Sequence, residues 1–175
     1  MYAHSCVRKL VADATALGAG ISQVYVHTHE RNYCNMKIMG LDYGSVTVGV
    51  AMSDALGLTS QPKETIVREK ENHLRRTLAQ IDRLVKDNDI ELIVLGRPVR
   101  MDGTDGTRVS KTEEFCDALR KRVGIPVVWQ DERLTTVEAD EILAEMEVPK
   151  SERKKYIDSI AASIILRDYM NQNQK

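Results

Sequence analysis

Three acidic residues stand where their carboxylates could act together. Asp42 ends a predicted strand, Glu132 belongs to the Asp131-Glu132-Arg133 segment that directly follows another, and Asp158 lies in the last predicted helix. Clustered carboxylates repel one another and are tolerated chiefly where a cation offsets their charge. Ligation by oxygen alone favours Mg²⁺ or Mn²⁺ over zinc. The sequence therefore predicts that Asp42, Glu132 and Asp158 are both metal ligands and catalytic residues.

The predicted chemistry is hydrolysis of a phosphodiester bond. Two divalent ions about 4 Å apart activate a water on one side of the phosphate and stabilise the leaving oxygen on the other. Such a mechanism needs no serine or cysteine nucleophile. Cys116 lies on the apolar stripe of a predicted helix, where a structural role is expected.

Each acid taken alone also has an ordinary structural interpretation. Asp42 could accept hydrogen bonds from the amides of the turn that follows it. Glu132 could pair with Arg133 or cap the next helix. Asp158 could form an i,i+4 ion pair with Lys154, which contributes only a few tenths of a kcal/mol. These alternatives stay open, and the catalytic hypothesis depends on the three acids converging.

Basic residues flank the acids in two groups. One group brackets the polar loop at residues 101–106, and the other, at residues 150–155, precedes Asp158. Both could hold phosphates beside the acids, although ordinary solvated charge is the alternative in a chain with 29% charged residues. The predicted substrate-binding residues are Arg97, Arg100, Arg108, Lys111, Arg133 and Lys154.

Length and composition limit the class of protein. A chain of 175 residues suits one domain, and its net charge of -1 gives no global basic signature, so nucleic-acid binding must depend on local patches. Three widely spaced cysteines without a CxxC pair favour a reducing compartment. No run approaches the roughly 20 apolar residues of a membrane span.

Periodicity predicts an α/β fold from residue 36 onward. An antiparallel three-stranded meander is followed by αβαβ units and closing helices, which is the order of an RNase H-like mixed sheet. The predicted strands cover residues 37–42, 46–53, 58–66, 90–96 and 126–130, and the predicted helices cover about 71–88, a segment from 109 to 123, a segment opening at 135 and a last one spanning 157–165.

Four ordered segments carry a family resemblance. They are GLDYGSVTVGVAMSD (40–54), IVLGRPVRMDGT (93–104), DERLTT (131–136) and IDSIAASIIL (157–166). Together they resemble the YqgF family of RuvX-like, RNase H-like Holliday junction resolvases. The resemblance implies a nuclease fold shared with the RuvC resolvases, a cytoplasmic location and maturation of the 5′ end of pre-16S ribosomal RNA. It maps the family's acidic positions onto Asp42, Glu132 and Asp158, with Asp131 as an uncertain fourth.

The resemblance also predicts where the domain begins, and it shows two positions where this sequence departs from the family pattern. Members begin near Met36, so residues 1–35 are interpreted as an N-terminal extension of low predicted order and residues 36–175 as the nuclease domain. Members usually carry an apolar residue in place of Arg97 and an asparagine in place of Arg100. Substrate preference is therefore not carried over.

Other functions remain as alternatives to processing of pre-16S rRNA. They are resolution of Holliday junctions in recombination and repair, a catalytically silent nucleic-acid-binding module, and a phosphate binder of the actin or sugar-kinase type, which the chain length opposes. The expected partner is nucleic acid, either pre-rRNA or branched DNA, and no membrane. A two-fold symmetric junction would suit a homodimer, whereas trimming of an RNA end would suit a monomer.

Overall fold

The computed structural model describes residues 36–70, 73–98, 106–132 and 135–173, with the backbone alone for residues 106 and 132. The extension predicted at residues 1–35 lies outside the described residues. In chain order the elements are β1 (Ile38–Tyr43), β2 (Thr47–Ser53), β3 (Ser60–Val67), α1 (Leu74–Asp87), β4 (Leu92–Pro98), α2 (Gly106–Val123), β5 (Val127–Glu132), α3 (Thr135–Glu145), α4 (Lys150–Arg153) and α5 (Ile157–Asn173).

The strands form one mixed sheet in the order β3-β2-β1-β4-β5. The pairs β1–β2 and β2–β3 are antiparallel, and β4 runs parallel to both β1 and β5. The carboxyl ends of β1, β4 and β5 therefore meet at one edge of the sheet, which is where α/β sheets collect ligands. This confirms the predicted meander followed by αβαβ units. Among the described residues, no helix has the length and apolar character that crossing a membrane requires.

Local hydrogen bonds explain where the observed boundaries differ from the predicted ones. The Asp54 carboxylate accepts from the amides of Leu58 and Thr59 at 2.6 and 3.1 Å, so these residues belong to a turn and β3 begins after them. The amide of Ile90 donates to the Val85 carbonyl at 2.9 Å and so completes the end of α1. As a result, β4 begins at Leu92 and not at Ile90.

The two faces of the sheet pack against different helices. Met39, Leu41 and Tyr43 of β1 join the core formed with α1 and α2, whereas Ile38 belongs to the core formed with α5. Because side chains alternate along a strand, Gly40 and Asp42 lie on the α5 face. Helix α3 packs on the outer side of α5 through a small cluster that includes Ala139, Ala161 and Ile164.

Helix α5 packs with its backbone directly on two glycines of the sheet. A Cβ built on Gly40 would lie 2.7 Å from the Ala162 carbonyl oxygen. A Cβ on Gly49 would lie 1.9 Å from the Asp158 carbonyl oxygen and 2.3 Å from its carbonyl carbon. Real Cβ atoms do not approach backbone atoms this closely, so only glycine permits the observed packing.

Substitution of Gly49 is expected to separate α5 from the sheet. Gly49→Ala should lower the free energy of unfolding by about 3 kcal/mol or more, at the upper end of overpacking effects, because the opposing backbone atoms cannot rotate away. Urea denaturation followed by circular dichroism measures this. Gly124→Ala is the control: Gly124 has φ +66° with open space around its Cβ position, so its cost is conformational, roughly 1–2 kcal/mol. A loss at Gly49 no larger than that at Gly124 would contradict the packing.

Cys116 is a core residue, as predicted, and is fully buried against the sheet. Burial raises the pKa of its thiol to about 11, so the nucleophilic thiolate is scarce at neutral pH. In a Cys6→Ser, Cys34→Ser double variant, we expect Ellman's reagent at pH 7.5 to leave the native protein unlabelled and to label it rapidly in guanidinium chloride. Rapid labelling of the native double variant would show an accessible thiol and reopen cysteine chemistry.

Candidate functional site

Asp42 is the central residue of the candidate site. It lies at the carboxyl end of β1, is only 6% exposed, and stands on the sheet face covered by α5. In the β1–β2 register it is directly opposite Gly49, and directly opposed residues of an antiparallel pair share a face. Since Gly49 contacts the backbone of Asp158, the structure brings Asp42 next to the first turn of α5.

Asp158 is the second residue of α5 and is partly buried. An acidic residue in the first turn interacts favourably with the positive end of the helix dipole. The alternative ion pair with Lys154 is not formed in the described part of the chain, and Lys154 itself is exposed. The α5 terminus thus brings both a carboxylate and a partial positive charge to the end of β1.

Glu132 is the last residue of β5 and pairs with Pro98 of β4. Only β4 separates β5 from β1, so the strand ends that carry Glu132 and Asp42 are two strand spacings, roughly 10 Å, apart. Asp131 is exposed and lies opposite Arg97. Among the described side chains there is no group of three metal-binding residues, and the side chain of Glu132 is not among them. Convergence of the three acids stays a prediction.

The predicted basic residues fall in different places. Arg97 lies on the face opposite Asp42, where it forms an ion pair with Glu113 of α2 at 3.3 Å and lies 6.0 Å from the Trp129 ring centroid. Arg108 is exposed and Lys111 partly buried near the start of α2, at the sheet edge that carries Asp42. Arg100 and Arg133 lie outside the described residues.

The basic residues at positions 150–155 differ in the contacts that they make. Arg153 has a structural role, because it donates to the Val148 carbonyl at 2.9 Å and pairs with Asp140 at 3.3 Å. Lys150, Lys154 and Lys155 are exposed and form no ion pair with a described carboxylate. These three exposed lysines closely precede Asp158 and the first turn of α5 along the chain.

Sequence reasoning missed two residues that shape the site. Gly49 carried a recognisable signal, because a glycine inside a strand often marks close approach of another backbone. Arg68, which follows β3, had no such signal in its polar surroundings. The structure buries Arg68 to 4% exposure against the turn that follows Asp42.

Comparisons with known proteins agree with this architecture. The model of the family described as "RuvX: Holliday junction resolvase" matches residues 36–172. A protein named "Putative pre-16S rRNA nuclease" from Lachnospira eligens is 53% identical over 140 residues, covering 80% of this chain and all of that protein. One of the same name from Agathobacter rectalis is 46% identical over 136 residues, covering 78% of this chain and 95% of that protein.

The solved structure of RuvC from T. thermophilus in complex with a Holliday junction substrate aligns with a TM-score of 0.52 at 12% identity. The alignment covers 79% of this chain and 97% of RuvC. Likeness at this identity concerns the fold, and it confirms the predicted RNase H-like sheet. With the family model matching residues 36–172 and relatives at about half identity across nearly their whole length, the chain belongs to the RuvX family of Holliday junction resolvases.

Proposed function

We propose that this protein is a metal-dependent nuclease that hydrolyses phosphodiester bonds of structured nucleic acid and processes the 5′ end of pre-16S rRNA. The observation that carries the proposal is the buried carboxylate of Asp42, held at the carboxyl end of β1 next to the first turn of α5 and Asp158. The names of the relatives support the RNA substrate.

The donor set fits a hard divalent cation. Asp42 and Asp158 offer carboxylate oxygens, and Glu132 is proposed as the third acid from the neighbouring strand end. Oxygen donors of this kind suit Mg²⁺ or Mn²⁺, and burial of a carboxylate is best tolerated where a cation offsets its charge. When bound, the cation would activate water and stabilise the leaving oxygen.

The chain's own residues supply position and charge around that centre. The first turn of α5 presents the positive end of the helix dipole to the carboxylates, and the Gly49 contact fixes its distance from β1. Lys150, Lys154 and Lys155 are proposed to hold the phosphodiester backbone that leads into the site. The Cys116 thiol is buried in the core and takes no part.

Resolution of four-way DNA junctions is the second candidate function. The description of the family favours it, and the same carboxylates would serve, because hydrolysis of a DNA or RNA phosphodiester makes the same demand on them. The two candidates differ in the nucleic acid that is bound and cut, so one assay with both substrates separates them.

Asp42→Asn is expected to lower cleavage strongly while leaving the fold intact. Wild type and variant are incubated with labelled pre-16S rRNA and with a four-way DNA junction, in Mg²⁺, in Mn²⁺ or in EDTA. We expect metal-dependent cleavage of the rRNA precursor by the wild type, lowered about 100-fold or more by the substitution, because a direct metal ligand is lost.

Asp158→Asn should behave like Asp42→Asn, whereas Cys116→Ala, purified in the same way, should cleave as the wild type does. Cleavage of the junction alone would replace the RNA assignment with resolution. Equal cleavage by wild type and Asp42→Asn would reveal a contaminating nuclease and remove Asp42 from the mechanism. Binding that persists in EDTA, without cleavage of either substrate, would favour a silent binding module.

The three lysines before α5 are expected to set the salt dependence of binding. In the Asp42→Asn background with EDTA, the slope of log K against log [salt] should become shallower by about 0.7–0.9 for each lysine changed to glutamine that contacts a phosphate. Fluorescence anisotropy with labelled RNA measures this slope.

Lys121→Gln is the matched control for the salt experiment. Lys121 is exposed, forms no ion pair with a described carboxylate, and lies at the far end of α2 on the opposite face of the sheet. Its substitution should leave the slope unchanged. Equal slopes for the Lys154→Gln and Lys121→Gln variants would place the phosphate contacts elsewhere.

A further inference from the structure

Arg68 is a buried cation with no carboxylate partner within residues 36–70, 73–98, 106–132 and 135–173. It is 4% exposed, and no ion pair joins it to any carboxylate of the described residues. Its Nη2 donates to the carbonyl of Gly44, while its Nε and Nη1 are buried with no hydrogen-bond acceptor in the part of the chain that the structure describes. An arginine keeps its charge in proteins. Among the described residues, the fold therefore holds this buried positive charge without a counter-ion at the turn that follows Asp42.

The contacts of Arg68 converge on the turn that follows Asp42. Its amide donates to the Val46 carbonyl at 2.7 Å, and its guanidinium reaches Gly44, so it holds the β1–β2 turn at two points. The turn is closed by a hydrogen bond from the Gly44 amide to the Thr47 carbonyl at 2.9 Å. Arg68 thus links the end of β3 to the backbone next to Asp42.

The guanidinium also fixes Tyr43, the direct neighbour of Asp42. The guanidinium carbon lies 4.5 Å from the Tyr43 ring centroid. The same ring stacks on Phe115 of α2 at 4.2 Å with an interplanar angle of 16°. Two groups this close to one ring occupy its opposite faces, so Tyr43 lies between a cation and the core. The stack lies on the sheet face opposite the Asp42 side chain, and it holds the carboxyl end of β1 in place from that face.

The balance of these contacts is unfavourable for stability. One hydrogen bond to a neutral carbonyl and one ring contact do not replace the hydration that a guanidinium loses on burial. A well-packed apolar side chain at such a position is commonly as stable or more stable. Departures of this kind from the usual rules of burial are expected chiefly at functional sites.

We infer that Arg68 is a positioning residue for Asp42, which holds the β1–β2 turn and the Tyr43 ring so that the Asp42 carboxylate stays aligned with the first turn of α5. The inference rests on the proposed nuclease function for its catalytic consequence. Its structural part, immobilisation of the turn at residues 44–47, stands independently of that function.

Arg68→Met and Arg68→Lys test this inference in the full chain. For Arg68→Met we expect a melting temperature equal to or above that of the wild type, a kcat about 10- to 100-fold lower and an unchanged KM, because misplacement of a reacting group affects the chemical step. Arg68→Lys, which keeps a charge and a donor for Gly44, should recover part of kcat. Hydrogen–deuterium exchange of the metal-free protein should show faster exchange at residues 44–47 in Arg68→Met, with α1 unchanged.

Arg120→Met is the matched control. Arg120 likewise donates to a backbone carbonyl, that of Val127 at 2.9 Å, and lies 6.0 Å from the Trp129 ring centroid at the opposite edge of the sheet. Unlike Arg68 it is partly exposed and pairs with Asp117 at 3.7 Å. Its substitution should leave kcat and exchange at residues 44–47 unchanged. A strong drop in the melting temperature of Arg68→Met, unchanged exchange in the turn, or a change in KM alone would overturn the inference. If the wild type cleaves neither substrate, the proposed function fails and the exchange experiment still decides the role of Arg68.

Discussion

The contact between the backbone of α5 and the glycines of β1 and β2 is the constraint on which the rest of the structure depends. Helices usually rest on a sheet through a layer of side chains, but here Gly40 and Gly49 remove that layer. The helix therefore approaches close enough for its first turn to lie beside Asp42. The Ser60 and Ser163 hydroxyls, 3.0 Å apart, add a polar tie between β3 and the same helix.

The two faces of the sheet have different roles: one carries most of the apolar core, and the other carries the candidate site. The α1 and α2 face holds the larger apolar core, which includes Phe115 and Cys116, and the interhelical ion pair of Asp82 with Arg122 at 3.3 Å. The α5 face holds a smaller apolar core and the buried Asp42. Arg68 supports the site from the α1 and α2 face, where its guanidinium contacts the Tyr43 ring, while Asp42 points to the α5 face. Because successive side chains of β1 point to opposite faces, fixing Tyr43 on one face also fixes the backbone that carries Asp42 on the other.

Much of this fold could be predicted from the sequence, because strand and helix periodicities are strong in the segments that contribute to the core. Ile93 to Leu95 read as a buried strand and are one. The four-residue helix α4 is too short to show a period, and the start of β3 depended on the Asp54 turn.

The candidate acids could be proposed from the sequence for a chemical reason, because carboxylates at strand ends and at the start of a helix are placed where a cation can bind. Their surroundings were not identifiable in the same way. The pairing of Arg97 with Glu113 and the burial of Arg68 depend on which residues meet across the sheet, and local sequence does not contain that information. The lysines near Asp158 looked equivalent to Arg153 until the contacts of Arg153 with Val148 and Asp140 distinguished it.

The docking of α5 on Gly49 also determines when the site can exist during synthesis of the chain. Asp42 lies on the first strand of the domain and Asp158 on its last helix, so the two meet only after the intervening strands have paired and the final helix has left the ribosome. Contacts of such long sequence separation form late because closing a long loop is entropically unfavourable. A nascent chain that still lacks α5 holds Asp42 without Asp158, so the candidate site is assembled only after α5 has been made.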